Sequence, residues 1–356
     1  MNNPERISQL DKESKPYVIF GFTGQGQQTP EMFEPWYGFS EPTDGLLEHF
    51  HKITETDFGK PLDQEYLSQG PLMQPANTAL QVIVFTALKQ MGVTPNEVHG
   101  HSLGEVASIA CAGAIAPEDA ISLSQKRGES TDKNIRMLLK DNEARRGMAA
   151  ISRKAGNLVE DIDSLTDIEL RETLLGLVSN FNNRSQLVLS GPMDTIRQSL
   201  DKLKNSITGI RSVELAVDGA YHSVHMALAK KYFQQYVDQL AIKQPGRPKI
   251  YSPTTVGELR TRDEIASMLV NQLTEPVRYS ELTQKRLEYL QSSRVAKILG
   301  RKGVKQVLFV EIGAFGVPQN SKKGVLIGIN RDNISLHHGM PVNFHRVSIP
   351  DNLRIT

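Results

Sequence analysis

Apolar and polar positions fall into short, differently spaced runs along the chain. Tyr17 to Phe22 (YVIFGF) is an apolar run rich in β-formers that breaks into the glycine-rich stretch Thr23 to Gln28 (TGQGQQ), the pattern of a buried strand entering a loop. From Asn77 to Met91 apolar residues recur at helical spacing, and the short, weakly patterned segment Val93 to His99 leads to Gly100–Glu105 (GHSLGE). This order predicts helix, strand, sharp turn, helix. The residues after Ser102, VASIACAGAI, are small and apolar on nearly every side, as in a helix buried inside a sheet protein, with Cys111 there as packing.

Between about Gly147 and Val217 the spacing shortens to β, α, β, β, α, β, the order of a ferredoxin-like insert. Pro248 to Tyr251 and Lys305 to Ile312 read as later strands of the main sheet, with one long charged helix from Glu281 to Gly300 between them. Arg331 to Thr356 has no clear period and reads as a tail on the surface. The expected architecture is α/β: a large parallel-sheet domain with an α/β-hydrolase-like core (17–146 and 215–330) and an inserted ferredoxin-like small domain (147–214). A polar N-terminal tail (1–16) and a C-terminal tail (331–356) flank them, and the active site is expected in the cleft where the domains meet.

Composition narrows the function classes. At 39% hydrophobic and 23% charged, the 356 residues have ample material for a core. A net charge of +1 gives no global field toward nucleic acid or an anionic membrane. The single cysteine excludes an intramolecular disulfide and a cysteine-based zinc site, which suits a reducing cytosol. The polar N-terminus has no signal-peptide core, and no run approaches the ~18 apolar residues of a membrane span. A cytoplasmic protein, monomeric and without nucleic-acid or membrane partners, is expected.

The strongest local chemistry is Gly100-His101-Ser102-Leu103-Gly104, a GxSxG sequence between a predicted strand and a predicted helix. A tight strand-to-helix turn exposes its serine as a nucleophile, and the helix N-terminus points N–H groups at a developing oxyanion. The same sequence also fits a simple glycine-bounded turn. A serine needs a base. His222, in DGAYHSVHM just after the apolar VELAV, is the leading candidate, and His225 three residues on is the alternative.

The set TGQGQQ, MQPAN (73–77), GHSLGE, Arg127, GAYHS and NQLTEPVRY (271–279) resembles, in collinear order from about 17 to 316, the malonyl-CoA:acyl carrier protein transacylases. That family includes the acyltransferase domains of fatty acid and polyketide synthases. The resemblance implies that Ser102 is the acylated nucleophile and His222 the general base and acid. It implies that Gln25 and Leu103 donate backbone N–H groups to the oxyanion, and that the main-chain carbonyl of Gln272 holds the histidine in place of a triad acid. Arg127 matches the arginine that grips a malonyl carboxylate, which a guanidinium forks and a lysine does not. Gln74, Asn180 and Asn182 match residues lining the substrate cleft. Implied with them are malonyl-CoA as substrate, a coenzyme A thioester as donor, an acyl carrier protein as partner, and neither a bound cofactor nor a metal.

The sequence departs from that pattern in places. The loop Phe22-Thr23-Gly24-Gln25-Gly26-Gln27-Gln28 lacks the usual proline and serine, the closing turn reads Gly313-Ala314-Phe315-Gly316, and charged insertions stand at 135–146 and 291–303. These changes suggest a specialised, free-standing acyltransferase serving a polyketide assembly line. An acyl hydrolase on the same scaffold and an inactive carrier-docking scaffold are the competing readings. Arg127 argues against the first, and an intact Ser102, His222 and Arg127 against the second. Arg145, Arg146, Arg301, Lys302, Lys322 and Lys323 are candidates for a basic rim meeting an acidic carrier protein.

Overall fold

The computed structural model describes residues 15–26, 28–140, 145–154, 156–313, 340–348 and 354–355. The elements run β1 (Tyr17–Phe22), α1 (Glu41–Thr54), α2 (Gln64–Leu67), α3 (Gly70–Gln90), β2 (Glu97–Gly100), α4 (Gly104–Cys111) and α5 (Pro117–Lys140). There follow β3 (Arg146–Arg153), α6 (Leu158–Asp163), α7 (Ile168–Leu177), β4 (Val178–Asn183), β5 (Gln186–Pro192), α8 (Met193–Ser206) and β6 (Ile210–Glu214). The chain continues through α9 (Ala227–Val237), β7 (Lys249–Ser252), β8 (Gly257–Leu259), α10 (Arg262–Asn271), α11 (Tyr279–Gln291), α12 (Ser293–Arg301), β9 (Val307–Ile312), β10 (Val342–Ser348) and β11 (Arg354–Ile355).

The main sheet has the order β11-β10-β9-β1-β2-β7-β8. Its five inner strands are parallel and its two outermost pair antiparallel, so the fold is α/β with a mixed, mainly parallel sheet. Residues 18–22 of β1 and all of β9 are buried, because helices cover both faces of a parallel sheet and leave no polar side to its strands. Phe20 and Phe22 join Trp36, Phe50, Ile83 and Ile121 in the principal core, each worth roughly 1.5–3 kcal/mol of apolar burial. A second sheet, β4-β5-β3-β6, is antiparallel throughout and has its own core around Ile151, Leu174, Leu189 and Ile196.

Two expectations are corrected. The helix predicted over Glu281–Gly300 is two helices, separated at Ser292, whose extended ψ of 140° lets α12 turn its apolar Val295 and Leu299 back onto Ile19 and Val307. Part of the predicted surface tail, Val342–Ser348, instead pairs in parallel with β9 and widens the main sheet. The closing turn at 314–316, most of the N-terminal tail, and Lys322 and Lys323 lie outside the described residues. Among the described residues no helix is long and apolar enough to cross a membrane.

Candidate active site

The carboxyl ends of the parallel strands build the site. β2 ends at Gly100 and α4 begins at Gly104, so Ser102 sits between them at φ +54°, in the left-handed region that costs a side chain-bearing residue roughly 1–2 kcal/mol. The flanking glycines are required sterically: a Cβ on Gly100 would overlap the amide of Glu105, and one on Gly104 the carbonyl of Phe22. The turn leaves Ser102 partly exposed and lets α4 start two residues later.

Ser102 Oγ lies 2.6 Å from His222 Nε2, and His222 Nδ1 lies 2.7 Å from the Gln272 carbonyl oxygen. A carbonyl only accepts, so Nδ1 carries the proton, and Nε2 is left to accept from the serine hydroxyl. His222 is itself held at φ +59°, its amide bonded to the Leu273 carbonyl. Burial first, and the neighbouring charge of Arg127 second, push its pKa down to about 3, so the imidazole is neutral and basic at ordinary pH. His225 is turned away, with Nδ1 accepting from Arg146 Nε at 3.1 Å.

Arg127 projects from α5 and is 1% exposed. Its position follows from a close helix contact: Gly70 and Gly128 touch, backbone to backbone, and Thr78 of α3 bonds Ser124 of α5 at 2.7 Å. That contact brings Gln74 Oε1 to 2.8 Å from Arg127 Nη1, while Gln272 Oε1 lies 3.3 Å from Nη2. Arg127 Nε and Gln272 Nε2 have no partner among the described residues. Burial lowers the pKa of Arg127 to about 10, which still leaves it charged. The nearby carboxyl of Glu105, raised by burial to about 7, is held by Ser252 and by Thr254 at 2.8 Å. The arginine thus presents a desolvated cation whose bonded partners are neutral amides. Gln272 joins it to the imidazole, its main chain serving His222 and its side chain serving Arg127.

The other predicted site residues are placed as follows. Neither the Gln25 nor the Leu103 amide has an acceptor among the described residues, and Leu103 is buried at the start of α4. Asn182 Oδ1 accepts from His101 Nε2 at 2.9 Å, tying β4 to the nucleophile turn. Asn180 is bonded instead by the hydroxyl of Ser179 at 2.7 Å and bridges to the backbone of Val277. Of the basic candidates, Arg146 begins β3 with Arg145 just before it, and Arg146 reaches His225 three residues from His222. Arg301 and Lys302 end α12, beside the Gly303 carbonyl that bonds Lys15 just before β1, and so lie at the far end of the sheet. They cannot form a rim here.

Two residues of this site escaped sequence reasoning. His101 occupies a variable position of GxSxG, and its bond to Asn182 depends on a unit inserted far downstream. Tyr221 is buried beside Arg127, and its main-chain carbonyl accepts from Ser190 of β5. Its adjacency to His222 was the available signal. Among the described residues no three His, Cys, Asp or Glu side chains converge as metal ligands.

A profile of the family described as acyl transferase domain matches residues 19–296. A highly reducing polyketide synthase of Gibberella zeae is 26% identical over 322 residues, covering 87% of this chain but only 12% of the synthase. The malonyl CoA-acyl carrier protein transacylase of Bacillus subtilis is 28% identical over 271 residues, covering 75% of this chain and 82% of the transacylase. The crystal structure of MCAT from Mycobacterium tuberculosis superposes with a TM-score of 0.71 at 25% identity, over 94% of this chain and 98% of that one.

Proposed function

This chain belongs to the acyl transferase domain family, and on that premise we propose that it transfers a malonyl-type acyl group from coenzyme A to the phosphopantetheine thiol of an acyl carrier protein. The observation that carries the reading is the buried Arg127, whose bonded partners are neutral, set beside an assembled Ser102–His222 pair. A cation held this way is poised to take a carboxylate, and the free carboxylate of a malonyl group supplies one.

His222 Nε2 takes the Ser102 proton as the oxygen attacks the thioester carbonyl. The Gln25 and Leu103 amides stabilise the tetrahedral oxyanion, each by about 3 kcal/mol. The imidazolium returns its proton to the departing coenzyme A thiolate, leaving malonyl-Ser102. A carrier-protein thiol then repeats the sequence in reverse and collects the acyl group. The malonyl carboxylate also acts on the base: by neutralising Arg127 it removes part of what depresses His222, so a dicarboxylic donor raises the basicity needed to use it. Asn182 steadies the turn through His101, and Gln74 orients the arginine.

The strand order of the small sheet supports reading it as a ferredoxin-like domain, spanning 147–214, inserted into an α/β-hydrolase-like core of 17–146 and 215–330. The cleft between them carries the reaction. The test is transfer of labelled malonyl from malonyl-CoA to a holo carrier protein, compared with release of free malonate. Malonyl-carrier protein formed by wild type and abolished in Ser102→Ala is expected; free malonate as the main product would replace the transferase with a hydrolase.

A further inference from the structure

A second cavity, of about 660 Å³, opens at the opposite end of the main sheet, where β1 and β7 begin at Tyr17 and Lys249. The length of β2 separates it from Ser102, so it is not an approach to the acylation site. Its walls divide by chemistry. The floor is apolar, formed by Phe85 of α3, Leu290 of α11 and Val295, Ile298 and Leu299 of α12. No residue of α12 is fully buried, and Ile298 remains 43% exposed.

The rim is cationic. Lys89, Arg247, Lys249, Arg286 and Lys302 line the cavity, and no aspartate or glutamate does, in a chain with 40 acidic and 41 basic side chains. Lys249 is paired with Glu258 at 3.0 Å, and Arg286 with Glu97 at 2.7 Å. Lys89, Arg247 and Lys302 have neither an ion pair nor a side-chain hydrogen bond among the described residues. Three exposed cations without an acidic partner among the described residues, on the wall of one hydrophobic trough, complement an anion that carries an apolar chain.

We propose that this groove binds a linear amphipathic anion, an alkyl chain ending in a carboxylate or phosphate. The head group lies among Lys89, Arg247 and Lys302, and the chain lies along Phe85, Ile298 and Leu299. The volume falls within the roughly 300–1,000 Å³ of small-molecule sites, and its concavity suits a ligand better than a flat protein face. Cys111, the sole cysteine, lines the same cavity at 7% exposure.

Isothermal titration of the full chain with dodecanoate and with dodecyl phosphate, each below its micellar concentration, tests the proposal. Saturable 1:1 binding of either probe is expected, their relative affinity identifying the head group. Affinity should fall about ten-fold or more in the exposed double variant Lys89→Glu/Arg247→Glu, from loss of charge-assisted contacts, and in Ile298→Asp. Arg127→Ala should bind as wild type does, and the groove variants should keep wild-type melting and acyl loading. Binding that fails to saturate overturns the proposal, as does binding lost in Arg127→Ala but kept in the groove variants. Sedimentation showing a dimer that only the groove variants dissociate would assign the surface to self-association instead.

Discussion

Two buried arginines at opposite ends of one sheet meet different fates. Arg286 forks Glu97 with bonds of 2.7 and 3.4 Å and lies over the rings of Tyr251 and Tyr289 at 4.0 and 4.7 Å. Burial alone would lower its pKa, but Glu97 more than offsets this and the net shift is upward. The same carboxylate accepts from Tyr17 and lies 3.1 Å from His99 Nε2, so its oxygens are fully engaged. Arg127 is more deeply buried, bonded among the described residues only to the amide oxygens of Gln74 and Gln272, and its pKa is lowered. A buried cation matched by a carboxylate holds structure together. One matched only by dipoles retains an unspent attraction for an anion, and it acts on the neighbouring His222.

Breaking each arrangement should give opposite readouts. The largest effect is expected from Arg127→Ala, which on the proposed reading removes two charge-assisted hydrogen bonds to a malonyl carboxylate at about 1.5–3 kcal/mol each. kcat/KM for malonyl-CoA should fall about 10²- to 10³-fold or more while acetyl-CoA loading is preserved or raised; equal losses for both donors would remove the selective role. Glu97→Gln, by contrast, strands Arg286 and should cost about 3–5 kcal/mol of stability in denaturant titration. Activity per folded molecule should stay near wild type.

The pH response sharpens the contrast. His222, lowered by burial and then by Arg127 from 6.5 to about 3, makes the folded chain bind fewer protons than the unfolded chain between those values. Its stability contribution is therefore complete above about pH 6.5 and is lost as pH falls toward 3. Glu105, raised by burial from 4.5 to about 7, works oppositely: its contribution is complete below about 4.5 and is lost as pH rises through 7. In malonyl-CoA kinetics the acid limb of kcat/KM, which reports the free enzyme, should lie well below the ordinary histidine range. The limb of kcat should lie higher, because the carboxylate of a bound malonyl donor would offset Arg127, and the two limbs should converge with acetyl-CoA, which brings no carboxylate. The smallest effect is expected from Asn182→Ala, which frees His101: several-fold in kcat/KM, with about 1 kcal/mol of stability lost.

What was legible in the sequence follows from how local each signal is. Tyr17–Phe22 and Val307–Ile312 declare themselves as strands because burial on both faces demands unbroken apolar runs. Val342–Ser348 does not: outside that doubly covered centre it alternates exposed Asn343 with partly covered Phe344 and His345, and only its pairing with β9 makes it a strand. GxSxG announces a nucleophile turn because steric demands act between adjacent residues. The bond from His101 to Asn182 links positions 81 residues apart, and no local pattern records it. The misassigned Arg301 and Lys302 show the same limit, since which end of the sheet a helix terminus faces depends on strand order.

The central claim is that Ser102, His222 and Arg127 form one dicarboxylate-selective acylation site. Intact mass measurement after incubation with malonyl-CoA, methylmalonyl-CoA and acetyl-CoA tests it most directly. The account predicts that the protein gains one malonyl group, that Ser102→Ala gains none, and that Arg127→Ala loses malonyl loading while still accepting acetyl. A protein whose mass stays unchanged with all three donors, or a Ser102→Ala variant that acylates as wild type does, would contradict it.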